Sequence, residues 1–236
     1  MRLHRPESLL VLCYHGVAEV DDRVDPDRIV ISPRNLESQI RWLRRRGYQF
    51  ATATALVDHG PPEARTAVLT FDDGWRDALT TVVPMLERWG IRATFYVCPG
   101  LWGLQHGRVI GDAGRLMTRA EAVRLHEAGM ELGSHSMTHP DLRKLDEHDL
   151  DWELTRSAAE IAGITGGPCR TFAYPFGLYG EREIAAVGRA GYELAFGWLP
   201  GPFRELAAPR LPAPPRHGAG RLALKTIGIR RRVALG

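Results

Sequence analysis

Short apolar runs alternate along the chain with segments of helical period. Leu9-Leu10-Val11-Leu12-Cys13-Tyr14 is continuously apolar and predicts a buried strand that delivers His15 and Gly16 at its end. A charged loop, residues 21–27, follows. Ser32 then precedes Pro33, and Leu36, Ile40 and Leu43 share one face, which predicts a capped helix stopped at Gly47. Tyr48-Gln49-Phe50 predicts a short strand, and a helix through Ala55-Leu56-Val57 closes at residues 59–62. Ala67-Val68-Leu69 predicts a further buried strand. Residues 76–89 carry helical spacing through Leu79, Val82 or Val83, and Leu86, with Pro84 expected to kink or break them.

The second half repeats the alternation. Residues 92–97 are β-type in composition, and residues 99–114 are expected to be a glycine-rich surface loop near the strand ends. Thr118 and Glu121 form a capping box for a helix that Gly129 ends. A strand-like stretch over 130–133, a helix over 149–161, a strand over 171–174, a helix over 183–189 and a strand over 192–196 follow. Residues 200–215 contain six prolines and are expected to be a wrap with little regular structure. There is no internal repeat and no second core. Strands alternating with helices predict an α/β fold with a parallel sheet in a single domain, 1–236, with a motif-bearing core over about 9–212 and a basic tail over 213–236.

Composition narrows the classes. The chain has 236 residues, 44% of them hydrophobic, which suits one substantial core. The net charge of +3 is spread along the chain, so nucleic acid is not an expected partner. The only dense basic runs are Arg44-Arg45-Arg46 and Arg230-Arg231-Arg232. Cys13, Cys98 and Cys169 do not make a disulfide framework, and Cys13 and Cys98 read as buried thiols. Arg2 and Arg5 precede an apolar run too short to span a bilayer and without a cleavage site, so no transmembrane segment and a cytoplasmic location are expected; a shortened chain would read the same.

Two stretches carry candidate chemistry. Thr70-Phe71-Asp72-Asp73-Gly74 ends the third strand in adjacent carboxylates, which repel unless a cation or proton lies between them. Taken alone it is also ordinary turn chemistry. His135 and His139 stand four residues apart after another strand-like stretch. On a helical turn, that spacing faces both imidazoles the same way. Two neutral nitrogens and one hard oxygen leave coordination positions open, as a catalytic zinc-like site requires.

With these residues in view, the chain resembles the polysaccharide deacetylases of the NodB-homology type, carbohydrate esterase family four. The matching stretches are Leu69-Thr-Phe-Asp-Asp-Gly74, Ala93-Thr-Phe-Tyr-Val97, Gly133-Ser-His-Ser-Met-Thr-His-Pro140 and Phe172-Ala-Tyr-Pro-Phe-Gly177, in family order from about Leu10 to about Leu211. The resemblance implies a distorted (β/α) barrel, usually of seven strands. It implies Asp73, His135 and His139 as ligands of a divalent metal, zinc first, with nickel, cobalt or iron also accommodated. Asp72 matches the catalytic base, and the backbone N–H at Phe176 matches the oxyanion donor. The Leu-x-x-His motif that supplies the general acid in many members is absent, and the only late histidine, His217, lies in a Pro/Gly-rich stretch. A branch that includes poly-N-acetylglucosamine deacetylases carries the corresponding strand and histidine at the N-terminus. Leu12-Cys-Tyr-His15-Gly16 resembles that strand, which makes His15 the general acid.

The chain departs from the family at Ala173, where many members have an arginine that orients the base; Arg210 is the candidate substitute. Trp198 is expected either to line the acetyl pocket or to pack in the core. Tyr174, Trp102 and Trp75 are each as consistent with structure as with stacking on a sugar. Ser136 is expected to orient a ligand histidine or cap a turn. The implied activity is metal-dependent removal of N-acetyl groups from an amino-sugar substrate. The alternatives are an O-acetyl carbohydrate esterase and a carbohydrate-binding pseudoenzyme.

Overall fold

The computed structural model describes residues 9–60, 62–198, 203–216 and 218–223. Strands β1 (Leu9–Tyr14), β2 (Gln49–Ala51), β3 (Thr66–Phe71), β4 (Thr94–Val97), β5 (Glu131–Ser134), β6 (Thr171–Ala173), β7 (Leu194–Trp198) and β8 (Ala208–Pro212) are all parallel. β1 pairs along its whole length with β3, from Leu9 opposite Thr66 to Tyr14 opposite Phe71. Pairing then runs from β3 through β4, β5, β6, β7 and β8 back to β1, which closes a seven-strand barrel. β2 stands outside the ring, paired with the first half of β3, while Thr70 and Phe71 at its far end pair with β4.

Alternation along the strands sorts their side chains between the inside of the barrel and the layer beneath the helices. From β1, Leu10, Leu12 and Tyr14 face outward onto Leu36, Ile40 and Leu43 of α1 (Pro33–Arg45). Leu9 and Val11 instead join Val68, Tyr96, Ala173, Leu194, Phe196 and Ala208, contributed by five other barrel strands. The remaining helices are α2 (Ala53–His59), α3 (Val83–Arg88), α4 (Arg119–Glu127), α5 (Glu147–Thr165) and α6 (Glu181–Arg189). Local signals set their ends. Ser32 Oγ accepts the Asn35 N–H, Thr118 and Glu121 close a reciprocal capping box, and Asp146 caps α5. No helix among the described residues is long and apolar enough to cross a membrane.

Two elements differ from expectation. The proline-rich stretch is not a wrap throughout: Ala208–Pro212 is β8, and it closes the barrel. Its ladder is divided, with Ala208–Arg210 on β7 and Leu211 and Pro212 on β1. Each neighbour is in register with only part of β8, and Pro209 and Pro212, which have no N–H to donate, stand opposite Gly197 and Cys13. The helix before Trp89 divides as Pro84 requires, into a π-helical turn over Ala78–Val82 and then α3. The wider turn accommodates the missing proline N–H. Residues 1–8, His217, Pro200 and the Arg230–Arg232 run lie outside the described residues.

Candidate active site

The C-terminal ends of the barrel strands deliver the candidate residues to one place, the usual location of chemistry in parallel barrels. Asp72 and Asp73 follow β3. Asp73 and Gly74 take φ values of 72° and 79°, so the chain turns sharply and the two carboxylates diverge. Asp72 N–H donates to Tyr14 O, which ties the turn to the end of β1.

Asp72 meets Arg210 of β8. The guanidinium donates through Nη1 to Oδ1 at 2.6 Å and through Nη2 to Oδ2 at 2.7 Å, a bidentate pair with both partners buried. Nη1 also donates to Thr70 Oγ1, whose hydroxyl donates to Leu12 O. The cation lies over the rings of Tyr96 and Phe196. Burial alone would push the Asp72 carboxyl up. Arg210, aided by His135, more than offsets that and holds it below the usual carboxylate range.

Asp73 uses its two oxygens differently. Oδ1 lies 3.5 Å from both His135 Nε2 and His139 Nε2. Oδ2 accepts from Trp75 Nε1 at 3.3 Å and lies 3.3 Å from His106 Nε2. His106 Nδ1 accepts the Arg108 N–H, which leaves the His106 proton on Nε2, facing Asp73. Burial opposes ionisation of Asp73, but the His106 hydrogen bond and the surrounding imidazoles win, and the carboxyl sits far below its ordinary range.

His135 Nδ1 lies 2.7 Å from Ala173 O. A carbonyl can only accept, so the proton sits on Nδ1 and the Nε2 lone pair faces Asp73. At position 173 this contact depends on the backbone, not on the side chain. Burial and the nearby His135 push the His139 pKa down to about 4, so its imidazole is neutral at neutral pH. One carboxylate oxygen and two imidazole nitrogens, all within 4.8 Å of one another, fit a divalent cation in an open three-ligand site.

The two histidines do not share a helical face. They lie in a loop after β5, in which Ser136 and His139 take φ values of 65° and 61°. Ser136 Oγ accepts the His139 N–H and so caps the turn. Glu153 of α5 accepts the Met137 and Thr138 N–H groups at 2.7 and 2.8 Å, and also the Thr138 hydroxyl. Asp73, Ser136, His139 and Phe176 are four of the five non-glycine residues with positive φ among the described residues. Such conformations persist only where the surroundings impose them.

A cavity of about 440 Å³ opens over these groups. His15, half-buried at the end of β1, lines it. Phe176, in the turn after β6, packs edge-on against His139 and stands beneath the Arg108 guanidinium. Trp198 lines the cavity too, and its ring occupies the space that a Cβ at Gly177 would need. Tyr174 borders the cavity but is fully buried, with its hydroxyl donating to Leu206 O. Trp75 is spent on Asp73 and packs at a tilt against His106, and Trp102 packs against the core.

The sequence model of the family described as Polysaccharide deacetylase matches residues 59–195, more than half of the chain. The chain belongs to the polysaccharide deacetylase family. Within this family, the Bacillus subtilis protein YxkH is 23% identical over 205 residues, 85% of this chain and 68% of that protein. The poly-beta-1,6-N-acetyl-D-glucosamine N-deacetylase of Staphylococcus aureus is 22% identical over 82% of this chain and 73% of its own length. Two further curated relatives are matched over 48% of their length. Among solved structures, the Streptococcus pyogenes deacetylase PplD in complex with acetate superposes with a TM-score of 0.76 at 22% identity, covering 92% of this chain and 97% of that one.

For this family member, sequence reasoning missed two supports of the site. Glu153 carried a signal: it lies on the buried stripe of α5 with Leu150, Leu154 and Ile161, where a carboxylate needs partners. His106 carried none, because only the fold of the loop over 99–114 brings it to Asp73.

Proposed function

We propose that the chain is a divalent-metal-dependent hydrolase that removes an N-acetyl group from an amino-sugar-containing polysaccharide, oligosaccharide or glycoconjugate. One observation carries the reading: a three-ligand set, Asp73, His135 and His139, adjoins an Arg210-held carboxylate, Asp72, at the wall of one cavity. Family membership and the relative that acts on poly-N-acetylglucosamine support the substrate class.

Acetamide hydrolysis needs an activated water, a stabilised oxyanion and a proton for the leaving nitrogen. A divalent cation, zinc first, would supply Lewis acidity to the acetyl carbonyl and to water. Asp72 accepts the proton of the attacking water at its carboxylate, and Arg210 holds that carboxylate in one orientation. The Phe176 N–H donates to the oxyanion. His15 returns a proton to the amine as the C–N bond breaks, leaving acetate and the free amino sugar. Trp198 and Tyr174 wall the cavity, and Ser136 fixes the loop that carries His139.

The test is acetate release from N-acetylated sugars, oligomers and acetate esters by wild type and Asp72→Asn, with metal content measured in both. Acetate from wild type alone, with metal retained by both, is the expected result. Acetate from esters only would make the enzyme an O-acetyl esterase. Sugar binding without acetate from any substrate at full metal loading would reject the hydrolase reading.

A further inference from the structure

Beside the Asp73 set lies a second group of donors that shares no residue with it. Cys13, one residue before the end of β1, lies with its Sγ 3.4 Å from Asp72 Oδ2. His15 follows two residues later. One ligand atom from each of Cys13, His15 and Asp72 lies within 4.8 Å of the others. We propose that Cys13, His15 and Asp72 form a second cation site, selective for a thiophilic divalent ion of the zinc or cadmium class, whose occupation switches the enzyme off.

The donor chemistry sets the selectivity. A thiolate with an imidazole and one carboxylate oxygen suits zinc and cadmium and disfavours magnesium or calcium, which require oxygen ligands. The bidentate Arg210 pair does not exhaust Asp72: each carboxylate oxygen has two lone pairs, and Oδ2 retains one for the side where Cys13 stands. Binding forms an S–metal bond and releases the thiol proton to solvent, with no change of oxidation state. Burial and the neighbouring Asp72 carboxylate hold the Cys13 thiol well above its ordinary range, with the Arg210 charge acting the other way, so the cation itself must displace the proton. The other two cysteines are placed differently. Cys98 borders the cavity but directs its thiol to His135 O, and Cys169 to Thr171 O.

The consequence rests on the deacetylase reading; the site itself does not. A cation here occupies Asp72, the proposed base, and His15, the proposed acid, while the Asp73 set remains loaded. Activity should therefore pass through a maximum as metal is added.

The experiment is a titration of the metal-free protein with Co²⁺, reading near-ultraviolet thiolate-to-cobalt absorption and acetate release together. In wild type, the first equivalent is expected to bind without the thiolate band. The second brings the band, and acetate release is lost as the band grows. Cys13→Ser should bind one equivalent, show no band and lose nothing on further addition, compared with its own one-equivalent rate. Cys98→Ala should keep the band, and His139→Ala should keep it while losing the first-site affinity. Absence of the band from wild type at every loading, or its persistence in Cys13→Ser, would overturn the proposal. The band pattern above without acetate at any loading would support the cation site and refute the deacetylase reading.

Discussion

Asp72 and Arg210 are each costly to bury alone and acceptable together. Arg210→Met leaves an uncompensated carboxylate inside the barrel and is expected to cost about 3–5 kcal/mol in denaturant unfolding. In Asp72→Leu/Arg210→Met the charge is gone from both sides, and most of that loss should be recovered; equal loss in single and double variants would show that the pair is not the source. Asp77 is the opposite case. Its Oδ2 accepts the Val17 N–H, its Oδ1 has no partner, and burial pushes its carboxyl up to about 7. A raised folded-state pKa means stability that is complete below the unfolded value near 4 and lost as pH rises through about 7. Asp77→Asn removes that slope, so its melting temperature relative to wild type should be higher at pH 8 than at pH 5 (both about). At this scale the sequence was informative about which groups meet: Asp-Asp-Gly and His-x-x-x-His name the candidate ligands Asp73, His135 and His139, which the fold brings within 4.8 Å of one another. It did not fix the tautomer of His135, which depends on the carbonyl of Ala173, a residue whose side chain carries no polar group.

Between elements, support for the site comes from α5 and the turns after β5 and β6. Glu153 holds the Met137 and Thr138 amides and so the loop carrying His139. Glu153→Gln keeps the volume but loses one acceptor oxygen and the charge. Metal affinity is expected to fall by about 10–100-fold, the usual effect of removing a group that orients metal ligands, in a competition titration with a chelator. An unchanged affinity would make Glu153 a packing residue. Helix ends were legible where a cap was recognised, because capping is local: Ser32 and Thr118 act within three residues of themselves, whereas the Asp146 cap, not read from the sequence, starts α5 at Glu147 and not at the expected 149. The paired histidines were legible as a pair but not in conformation. Their four-residue spacing suits a helix, yet two left-handed residues and the Glu153 carboxylate bring them together in a loop. Spacing along a chain does not encode the backbone path when contacts from another element impose it.

For the molecule as a whole, closure is the decisive feature. β8 is the last strand of the barrel and supplies both the seam between β7 and β1 and the arginine that holds Asp72. A chain ending at Trp198 leaves two open edges and an unpaired Asp72, and is expected to lose cooperative thermal unfolding and to aggregate. Cooperative melting of the shortened chain would show that closure is dispensable. What the sequence determined by itself was the α/β alternation, most of the buried strands and the candidate donor set, because hydrophobic period, caps and residue chemistry are local properties. Tertiary structure alone decided that a stretch with six prolines in residues 200–215 contributes a barrel strand and that His106 reaches Asp73, and it put Arg210, until then only a candidate, onto Asp72 across 138 positions. Each depends on which strand ends become neighbours when the sheet closes, and closure is a property of the whole ring of pairings that no single segment carries.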